Sequence, residues 1–263
     1  MKPEDHKSLL LVIDIGNTET VLGLYRGESL VAHWRLSSKM QRTADECWIL
    51  FRSLCESEFV NTANIGGVVV ASVVPSLTAA FVGAARTKLG IESLVVSADT
   101  DTGLKVRYDS PRTVGADRLC NAVAGYALFG GPLIVVDFGT ATTFDVVSES
   151  GEYIGGAISL GLQGASQELH RVAAKLPRVD LVFPDSAVGR TTETSIQSGI
   201  MWGTVALVDG MIDRIIEDMH WKKTAVIATG GIATLFLEKS RKIQSVEPLL
   251  TLEGMRMIYD RLR

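Results

Sequence analysis

The chain has 263 residues, 46% of them hydrophobic and 21% charged, which is the balance of a globular protein with one large or two modest domains. Its net charge of −4 and the lack of a basic run with interleaved aromatic residues predict no nucleic-acid partner. Three cysteines without a C-x-x-C pair argue against a disulfide framework, and four scattered histidines argue against a zinc site, so we expect a protein of the reducing cytoplasm.

Neither a signal peptide nor a membrane span is predicted. The first apolar run, Leu9 to Ile13, is too short for a signal peptide and ends at Asp14. The longest uncharged stretch, Leu119 to Val136, is near membrane-span length, but Gly130-Gly131-Pro132 divides it into a helix and a strand.

The first predicted element is a hairpin built around an acidic turn. Leu9 to Ile13 leads into Asp14-Ile15-Gly16-Asn17-Thr18-Glu19-Thr20, and Val21 to Tyr25 leads out, followed by a third strand from Ser29 to Leu36. Glycine permits close backbone approach, hydroxyls and N–H groups suit phosphate oxygens, and the aspartate can hold a cation. A single Asp-x-Gly turn is equally an ordinary hairpin turn.

Helices and strands alternate after this hairpin. Thr43 to Glu46 predicts a helix start, Val68 to Val74 a buried strand, and Pro75 a helix to about Leu89. A short strand at Leu94 to Val96 and a polar loop between Ala98 and Gly115 come next. A helix then runs to about Phe129. Asp117 falls in its first turn, where a carboxylate is also favoured for purely structural reasons.

The acidic hairpin has a second copy in the middle of the chain. Leu133 to Val136 runs into Asp137-Phe138-Gly139-Thr140-Ala141-Thr142-Thr143, and Phe144 to Val147 comes after it. Aligning Asp14 with Asp137 also aligns the glycine and the last threonine of the two turns. The repeat predicts an α/β protein with two similar halves, 1–125 and 126–263, which face a shared cleft for a nucleotide triphosphate and its metal.

The remaining elements complete the second half. A glycine-broken run at Tyr153 to Ile158 precedes a helix from about Leu162 to Lys175. After a loop, Thr192 precedes a long helical pattern to about Met219, whose apolar residues suit either a contact between subunits or a core helix. A strand from Thr224 to Ala228 meets Thr229-Gly230-Gly231, which suits an adenine ring or a plain tight turn. A short helix closes the chain.

Together these segments resemble a known family. Asp14-x-Gly-Asn-Thr, Asp137-x-Gly-Thr-x-Thr and Thr229-Gly-Gly are similar to the phosphate-1, phosphate-2 and adenosine motifs of the superfamily that contains acetate kinase, sugar kinases, heat-shock chaperones and actin. Within it, the chain resembles type III pantothenate kinases over essentially its whole length. The segments that carry this narrower resemblance are Gly115-Ala-Asp-Arg118, Ser72-Val-Val-Pro75, Gly155-Gly-x-Ile158 and Gln197-Ser-Gly199. The chain departs from the family at Leu160-Gly161, where Pro-Gly is usual, and this departure leaves the local turn uncertain.

The resemblance implies two ribonuclease H-like (actin-like ATPase) halves, phosphorylation of pantothenate by ATP with Mg²⁺, and a homodimer. It implies that Asp117 is the general base, that Asp137 binds a monovalent cation (K⁺ or NH₄⁺), and that Asp14 lies near Mg²⁺. The implied substrate-binding residues are Tyr108, Gly115, Ala116, Asp117, Arg118 and Thr192. The implied ATP-binding residues are Asp14, Ile15, Gly16, Asn17, Thr18, Glu19, Thr20, Val21 and Thr140.

Two other classes of function stay open at this point. One is a non-catalytic relative that assists transcription, and the presence of all three acids, Asp14, Asp117 and Asp137, favours catalysis over it. The other is a phosphatase or another small-molecule kinase of the superfamily, and Gly115-Ala-Asp-Arg118 with the upstream Tyr108 favours pantothenate over a sugar.

Overall fold

The computed structural model describes residues 9–173 and 175–263. The strands are β1 Leu9–Ile15, β2 Glu19–Arg26, β3 Ser29–Ser37, β4 Ile65–Ser72, β5 Leu94–Val95, β6 Lys105–Val106, β7 Leu133–Phe138, β8 Ala141–Val147, β9 Glu152–Leu160, β10 Ala225–Thr229 and β11 Ser245–Val246. The α-helices are α1 Ala44–Ser57, α2 Pro75–Ala84, α3 Ala116–Phe129, α4 Leu162–Val172, α5 Thr192–Asp218, α6 Thr234–Leu237 and α7 Leu250–Arg261. A π-helical turn, Ala85–Leu89, extends α2.

The chain forms two compact units. Among the described residues, the first contains 9–104, 108–124 and 250–263, and the second contains 105–107, 125–173 and 175–249. The sequence prediction divided the chain between residues 125 and 126. The two units of the structure divide within α3 between Ala124 and Gly125, and α7 packs with the first unit and β6 with the second.

The sheet of the first unit has the order β3-β2-β1-β4-β5. β1 pairs antiparallel with β2 and parallel with β4. Because successive strand residues point to opposite faces, Leu9, Leu11, Ile13 and Ile15 all enter one core cluster, which α1 and α2 cover. Leu10 and Val12 point to the other face, where α7 contacts β1 and β4.

The sheet of the second unit has the order β11-β10-β7-β8-β9-β6. β7 pairs antiparallel with β8 and parallel with β10, and β8 pairs antiparallel with β9. β7, β8, β9 and β10 thus pair in the same order and directions as β1, β2, β3 and β4. The second sheet has β6 as an additional strand at its edge. The α/β class and the repeat of similar halves are therefore confirmed.

Several boundaries differ from the sequence prediction. Thr191, rather than Thr192, caps α5, because its side chain accepts a hydrogen bond from the Thr194 amide. The helix α4 ends at Val172, before the predicted Lys175, and Ala174 lies outside the described residues. β9 continues through the glycine pair, with Gly155 at φ +129° beside a register shift. The helix start predicted at Thr43 to Glu46 is confirmed, and the structure shows that Thr43 caps α1 with Glu46 in a capping box.

The long helix α5 is chiefly a core helix of its own unit. Ile196, Ile200, Val205 and Ile212 are buried in the second unit's core cluster. Leu207 is exposed. The core interpretation of this helical pattern therefore holds for those four residues.

Candidate active site

The first acidic turn closes the hairpin of β1 and β2. Asp14 is half-buried and pairs in register with Val21 on β2 and Ala71 on β4. The Gly16 amide donates to the Glu19 carbonyl at 3.0 Å, which makes the turn tight. Asn17 is exposed in the turn. The turn therefore combines the Asp14 carboxylate and the Asn17 amide side chain with the bare backbone of Gly16.

The end of this turn is committed to structural contacts. Thr20 is buried, and its hydroxyl lies 2.8 Å from the Ser38 hydroxyl. Glu19 forms a 2.8 Å surface ion pair with Arg35. Of the predicted ATP-binding residues, these two therefore already have side-chain partners within the first unit.

The Gly115-Ala-Asp-Arg segment forms the amino terminus of α3. Asp117 is half-buried in the first turn, and its Oδ1 accepts a hydrogen bond from the Arg118 amide at 2.8 Å. Ala116 and Arg118 are buried. A Cβ at Gly115 would collide with Asp117 Oδ1, so glycine at this position leaves room for the carboxylate.

The structure brings Asp14 and Asp117 to the same part of the first unit. Asp14 continues the row of Leu10 and Val12 on the face of β1 that α7 covers. Both carboxylates act on Cys120, one turn along α3. Complete burial raises the pKa of this thiol well above its usual value, and the nearby charges of Asp14 and Asp117 raise it further. Two carboxylates from distant parts of the chain thus lie around one buried side chain.

Tyr108 belongs to the first unit and lies just ahead of this helix. Its side chain is half-buried. A 3-10 turn, Pro111–Thr113, connects it to α3, and the Thr113 hydroxyl donates to the Ser110 carbonyl at 2.7 Å. The segment between Tyr108 and Asp117 is therefore short and held by local hydrogen bonds.

The second acidic turn lies in the second unit. Asp137 is half-buried at the end of β7 and pairs in register with Thr143 on β8 and Thr229 on β10. Gly139 and Thr140 are exposed. Gly161, which comes after the exposed Leu160, begins α4 directly against the backbone carbonyls of Gly139 and Thr140.

Gly230 packs closely against Asp137. Its φ is +98°, and a Cβ there would lie 2.6 Å from the Phe138 carbonyl oxygen and 2.7 Å from Asp137 Oδ1. A carboxylate oxygen and a carbonyl oxygen thus lie next to each other, against a position that only glycine can occupy. Hard oxygen donors of this kind suit alkali and alkaline-earth cations.

Sequence reasoning missed one buried acid in this unit. Asp145 is fully buried on β8 and accepts a hydrogen bond from the Tyr153 hydroxyl at 2.9 Å. The Thr143 hydroxyl lies 3.4 Å from its other carboxylate oxygen. The signal was present, because Asp145 interrupts the apolar run from Phe144 to Val147.

Thr192 lines a cavity at the start of α5, within the second unit. The cavity has a volume of about 710 Å³. It combines the apolar side chains of α4 and α5 with a polar rim at the helix terminus. Its lining residues are Leu169, Leu176, Gly189, Arg190, Thr191, Thr192, Ser195, Ile196 and Gly199.

Two kinds of feature are absent from the described residues. Across 9–173 and 175–263, no group of three or more His, Cys, Asp or Glu side chains is arranged to hold a metal ion. In the same ranges, no helix has both the length and the apolar character needed to cross a bilayer.

The repeated units, each with an Asp-Gly hairpin, define an α/β protein built from two similar units. Solved structures share the fold at low identity. A Campylobacter jejuni protein assigned to the Baf family of transcriptional activators has a TM-score of 0.60 at 19% identity, covering 96% of this chain and 98% of that one. A ROK hexokinase from Thermus thermophilus has a TM-score of 0.53 at 11% identity, covering 97% of this chain and 100% of that one.

The chain belongs to the type III pantothenate kinase family. The sequence model of that family matches residues 10–214. A type III pantothenate kinase of Moorella thermoacetica is 48% identical, over 96% of this chain and 99% of the relative. The corresponding protein of Geobacter sulfurreducens is 47% identical, over 97% of this chain and 100% of the relative.

Proposed function

We propose that this protein transfers the γ-phosphoryl group of ATP to the primary hydroxyl of pantothenate, giving 4'-phosphopantothenate in the first step of coenzyme A synthesis. Family membership over nearly the whole chain supports the reaction. The observation that carries the assignment of residues is that Asp14 and Asp117 both lie near Cys120 in one unit. Phosphoryl transfer uses one carboxylate to accept the proton of the attacking hydroxyl and a second carboxylate near the metal and the triphosphate.

Asp117 is the proposed general base. The hydroxyl oxygen attacks the γ-phosphorus while its proton passes to the Asp117 carboxylate. The amide of Arg118 already donates to this carboxylate and fixes its orientation, and the space above Gly115 leaves it unobstructed. The guanidinium of Arg118 is assigned to a substrate oxyanion, because its planar fork matches a carboxylate or a phosphoryl group.

The first turn is the proposed triphosphate site. Gly16, Asn17 and Thr18 offer backbone and side-chain donors to phosphate oxygens, Ile15 and Val21 frame the turn, and Thr140 contributes from the second turn. Mg²⁺ fits the Asp14 carboxylate, because this ion takes one or two protein carboxylates and completes its shell with phosphates and water. When bound it neutralises charge on the transferred group.

Asp137 is the proposed ligand of a monovalent cation, K⁺ or NH₄⁺. The support is that Asp137 Oδ1 and the Phe138 carbonyl oxygen, two hard oxygen donors, lie side by side next to Gly230.

Tyr108, Gly115, Ala116, Arg118 and Thr192 are proposed to contact pantothenate. The cavity at Thr192 supports its assignment, because it joins apolar walls to polar groups, as a small molecule with a dimethyl centre and a carboxylate requires. We further propose a cytoplasmic homodimer. Three buried, unpaired cysteines agree with a reducing compartment.

The proposed reaction is tested by ADP release from purified protein with ATP and Mg²⁺, with and without pantothenate, in K⁺ and then in Na⁺ buffer. Release that requires pantothenate and K⁺ supports the acceptor and the cation site together. Release without pantothenate would show an ATPase or another acceptor, and no release at all would refute the kinase assignment. Light scattering of the same sample tests the dimer.

Asp117→Asn tests the base in the same assay. We expect kcat to fall by about two orders of magnitude or more, with ATP affinity unchanged, because the amide cannot accept the proton. Near-normal turnover by this variant would refute the role of Asp117.

A further inference from the structure

The carboxy-terminal helix α7 makes direct backbone contact with the helix that carries Asp117. Gly254 of α7 lies against Cys120 of α3, where a Cβ would sit 2.5 Å from the Cys120 carbonyl carbon and 2.8 Å from its Cα. These are backbone atoms that no rotamer change can move. Since Cys120 is three residues after Asp117, the contact falls within one helical turn of the proposed base.

A buried hydrogen bond joins the same two helices beside this contact. The Thr251 hydroxyl donates to Asn121 Oδ1 at 2.8 Å, and Asn121 is fully buried. Thr251 precedes Gly254 by three residues on α7, and Asn121 comes four residues after Asp117 on α3. Thr251 and Gly254 therefore lie on one face of α7, and Asn121 and Asp117 lie on one face of α3. We call the line of contact formed by Gly254 with Cys120 and by Thr251 with Asn121 the seam between α3 and α7.

The other side of α7 is anchored to the sheet of the first unit. The Tyr25 hydroxyl donates to Glu253 Oε1 at 2.9 Å. Within α7, the Arg256 side chain, only 8% exposed, pairs with Glu253 at 3.1 Å and with Asp260 at 2.8 Å, and its guanidinium lies 5.9 Å from the centre of the Tyr25 ring. Tyr259 packs over Gly67, where a Cβ would collide with its ring hydroxyl. The helix therefore has a fixed position from which to locate α3.

We propose that Thr251 and Gly254 are positioning residues, which fix the first turns of α3 and thereby the Asp117 carboxylate in the place that catalysis requires. This inference rests on the proposed role of Asp117 as the base. Its energetic reason is that phosphoryl transfer depends on reactive groups held within a fraction of an ångström, and a displacement of about 1 Å costs on the order of a hundredfold in rate.

The test compares Thr251→Val with Thr251→Ser and with Tyr25→Phe. The valine variant keeps the shape of threonine but loses the hydrogen bond to Asn121, and serine keeps the bond. Tyr25→Phe is the matched control, because it removes a hydroxyl hydrogen bond of nearly equal length from the sheet side of α7 but keeps the Tyr25 ring and the packing of Tyr259 over Gly67, which still hold the helix on the sheet. We expect Thr251→Val to lower kcat about tenfold with little change in KM for ATP, and Thr251→Ser to restore it.

Hydrogen exchange monitored by mass spectrometry separates this inference from the reaction itself. In Thr251→Val, amide exchange is expected to rise in the peptide covering 114–124, whatever the activity of the protein, and to stay near the wild-type rate in Tyr25→Phe. A wild-type protein without kinase activity would refute the proposed reaction, whereas the exchange data would still test the seam.

Either of two results would overturn the positioning role. One is an unchanged kcat in Thr251→Val with unchanged exchange in 114–124. The other is an equal loss of kcat in Tyr25→Phe, since that would make α7 a general support of the fold. Gly254→Ala is a second variant for the same seam, expected to lower kcat further wherever it folds.

Discussion

Replacing Gly230 by alanine adds one carbon directly against the carboxylate of Asp137, the proposed cation ligand. Glycine is required there for two independent reasons. Its φ of +98° lies outside the regions that L-residues occupy readily, and an added Cβ would lie 2.6 Å from the Phe138 carbonyl and 2.7 Å from Asp137 Oδ1. The carbonyl belongs to the strand β7, so the Asp137 side chain and the local backbone must give way.

The magnitude comes from these two costs. A non-glycine residue in such a conformation costs about 1–3 kcal/mol, and forcing an extra carbon into a packed site costs about as much again. We therefore expect a loss of about 3 kcal/mol, or a Tm lower by roughly 6–12 °C, since 1 kcal/mol corresponds to about 2–4 °C in a protein of this size. Displacement of Asp137 Oδ1 should raise the K⁺ concentration for half-maximal activity by about tenfold or more.

The assay is calorimetry of the purified variant together with a K⁺ titration of ADP release. Gly210→Ala is the matched control, because Gly210 is an exposed residue of α5 in the same unit with nothing within 4 Å of an added Cβ. That change should raise stability by about 0.5–1 kcal/mol and leave the K⁺ response unchanged. A Gly230→Ala variant with wild-type Tm and wild-type K⁺ dependence would refute both the packing argument and the role of Asp137 as a cation ligand.

Two further predictions concern buried groups of the first unit. Burial, reinforced by the Glu253 carboxylate, raises the pKa of Tyr25 above its usual value of 10.0, so the unfolded chain loses this proton at a lower pH than the folded protein does. The free energy of unfolding should therefore fall as pH rises above 10, by up to about 1.4 kcal/mol per pH unit. Denaturation of Tyr25→Phe at a series of pH values should show a shallower fall, and a slope identical to that of the wild type would contradict this expectation. Burial also raises the pKa of Cys47 to about 11, of Cys55 to about 12 and of Cys120 well above its usual value, so at pH 8 none of the three thiols should react with Ellman's reagent until guanidinium unfolds the protein. Rapid labelling of the native protein would contradict that expectation.

The sequence was sufficient for the elements that depend on local patterns. The apolar run Leu9 to Ile13 and its copy at Leu133 to Val136 identified both central strands, because burial on two faces demands continuous apolar residues. The segment Thr43 to Glu46 located the start of α1, because the capping hydrogen bonds that the structure shows there lie within these four residues. The two-residue strands β6 and β11 were missed, since so short a pairing is defined by its neighbour and leaves no period to detect.

The assembly of the site depends on packing that no local pattern encodes. Nothing around Leu250 to Arg261 indicates that this helix packs with the first unit, because an amphipathic helix fits any apolar face of the right shape. Two glycines allow this packing, because Gly67 leaves room for Tyr259 and Gly254 leaves room for the backbone of Cys120. Neither role can be inferred from the sequence before these contacts are known. The proximity of Asp14 to Asp117 results from the same packing and was visible in sequence only through resemblance.

The two acidic turns place different neighbours beside the aspartate of one repeated topology. In each unit the aspartate lies at the end of the central strand and is flanked by the parallel neighbour strand, at Ala71 for Asp14 and at Thr229 for Asp137. The next residue of the neighbour strand is where the two units differ. In the first unit it is Ser72, the last residue of β4, whose hydroxyl accepts from the Val74 amide ahead of the helix that starts at Pro75. In the second unit it is Gly230, which packs directly against Asp137 Oδ1 and the Phe138 carbonyl oxygen. The aspartate of the second unit therefore has bare backbone beside it where that of the first unit has a serine. For this reason we expect a change at Gly230 to alter the K⁺ response through Asp137 and to leave the turn at Asp14 unaffected.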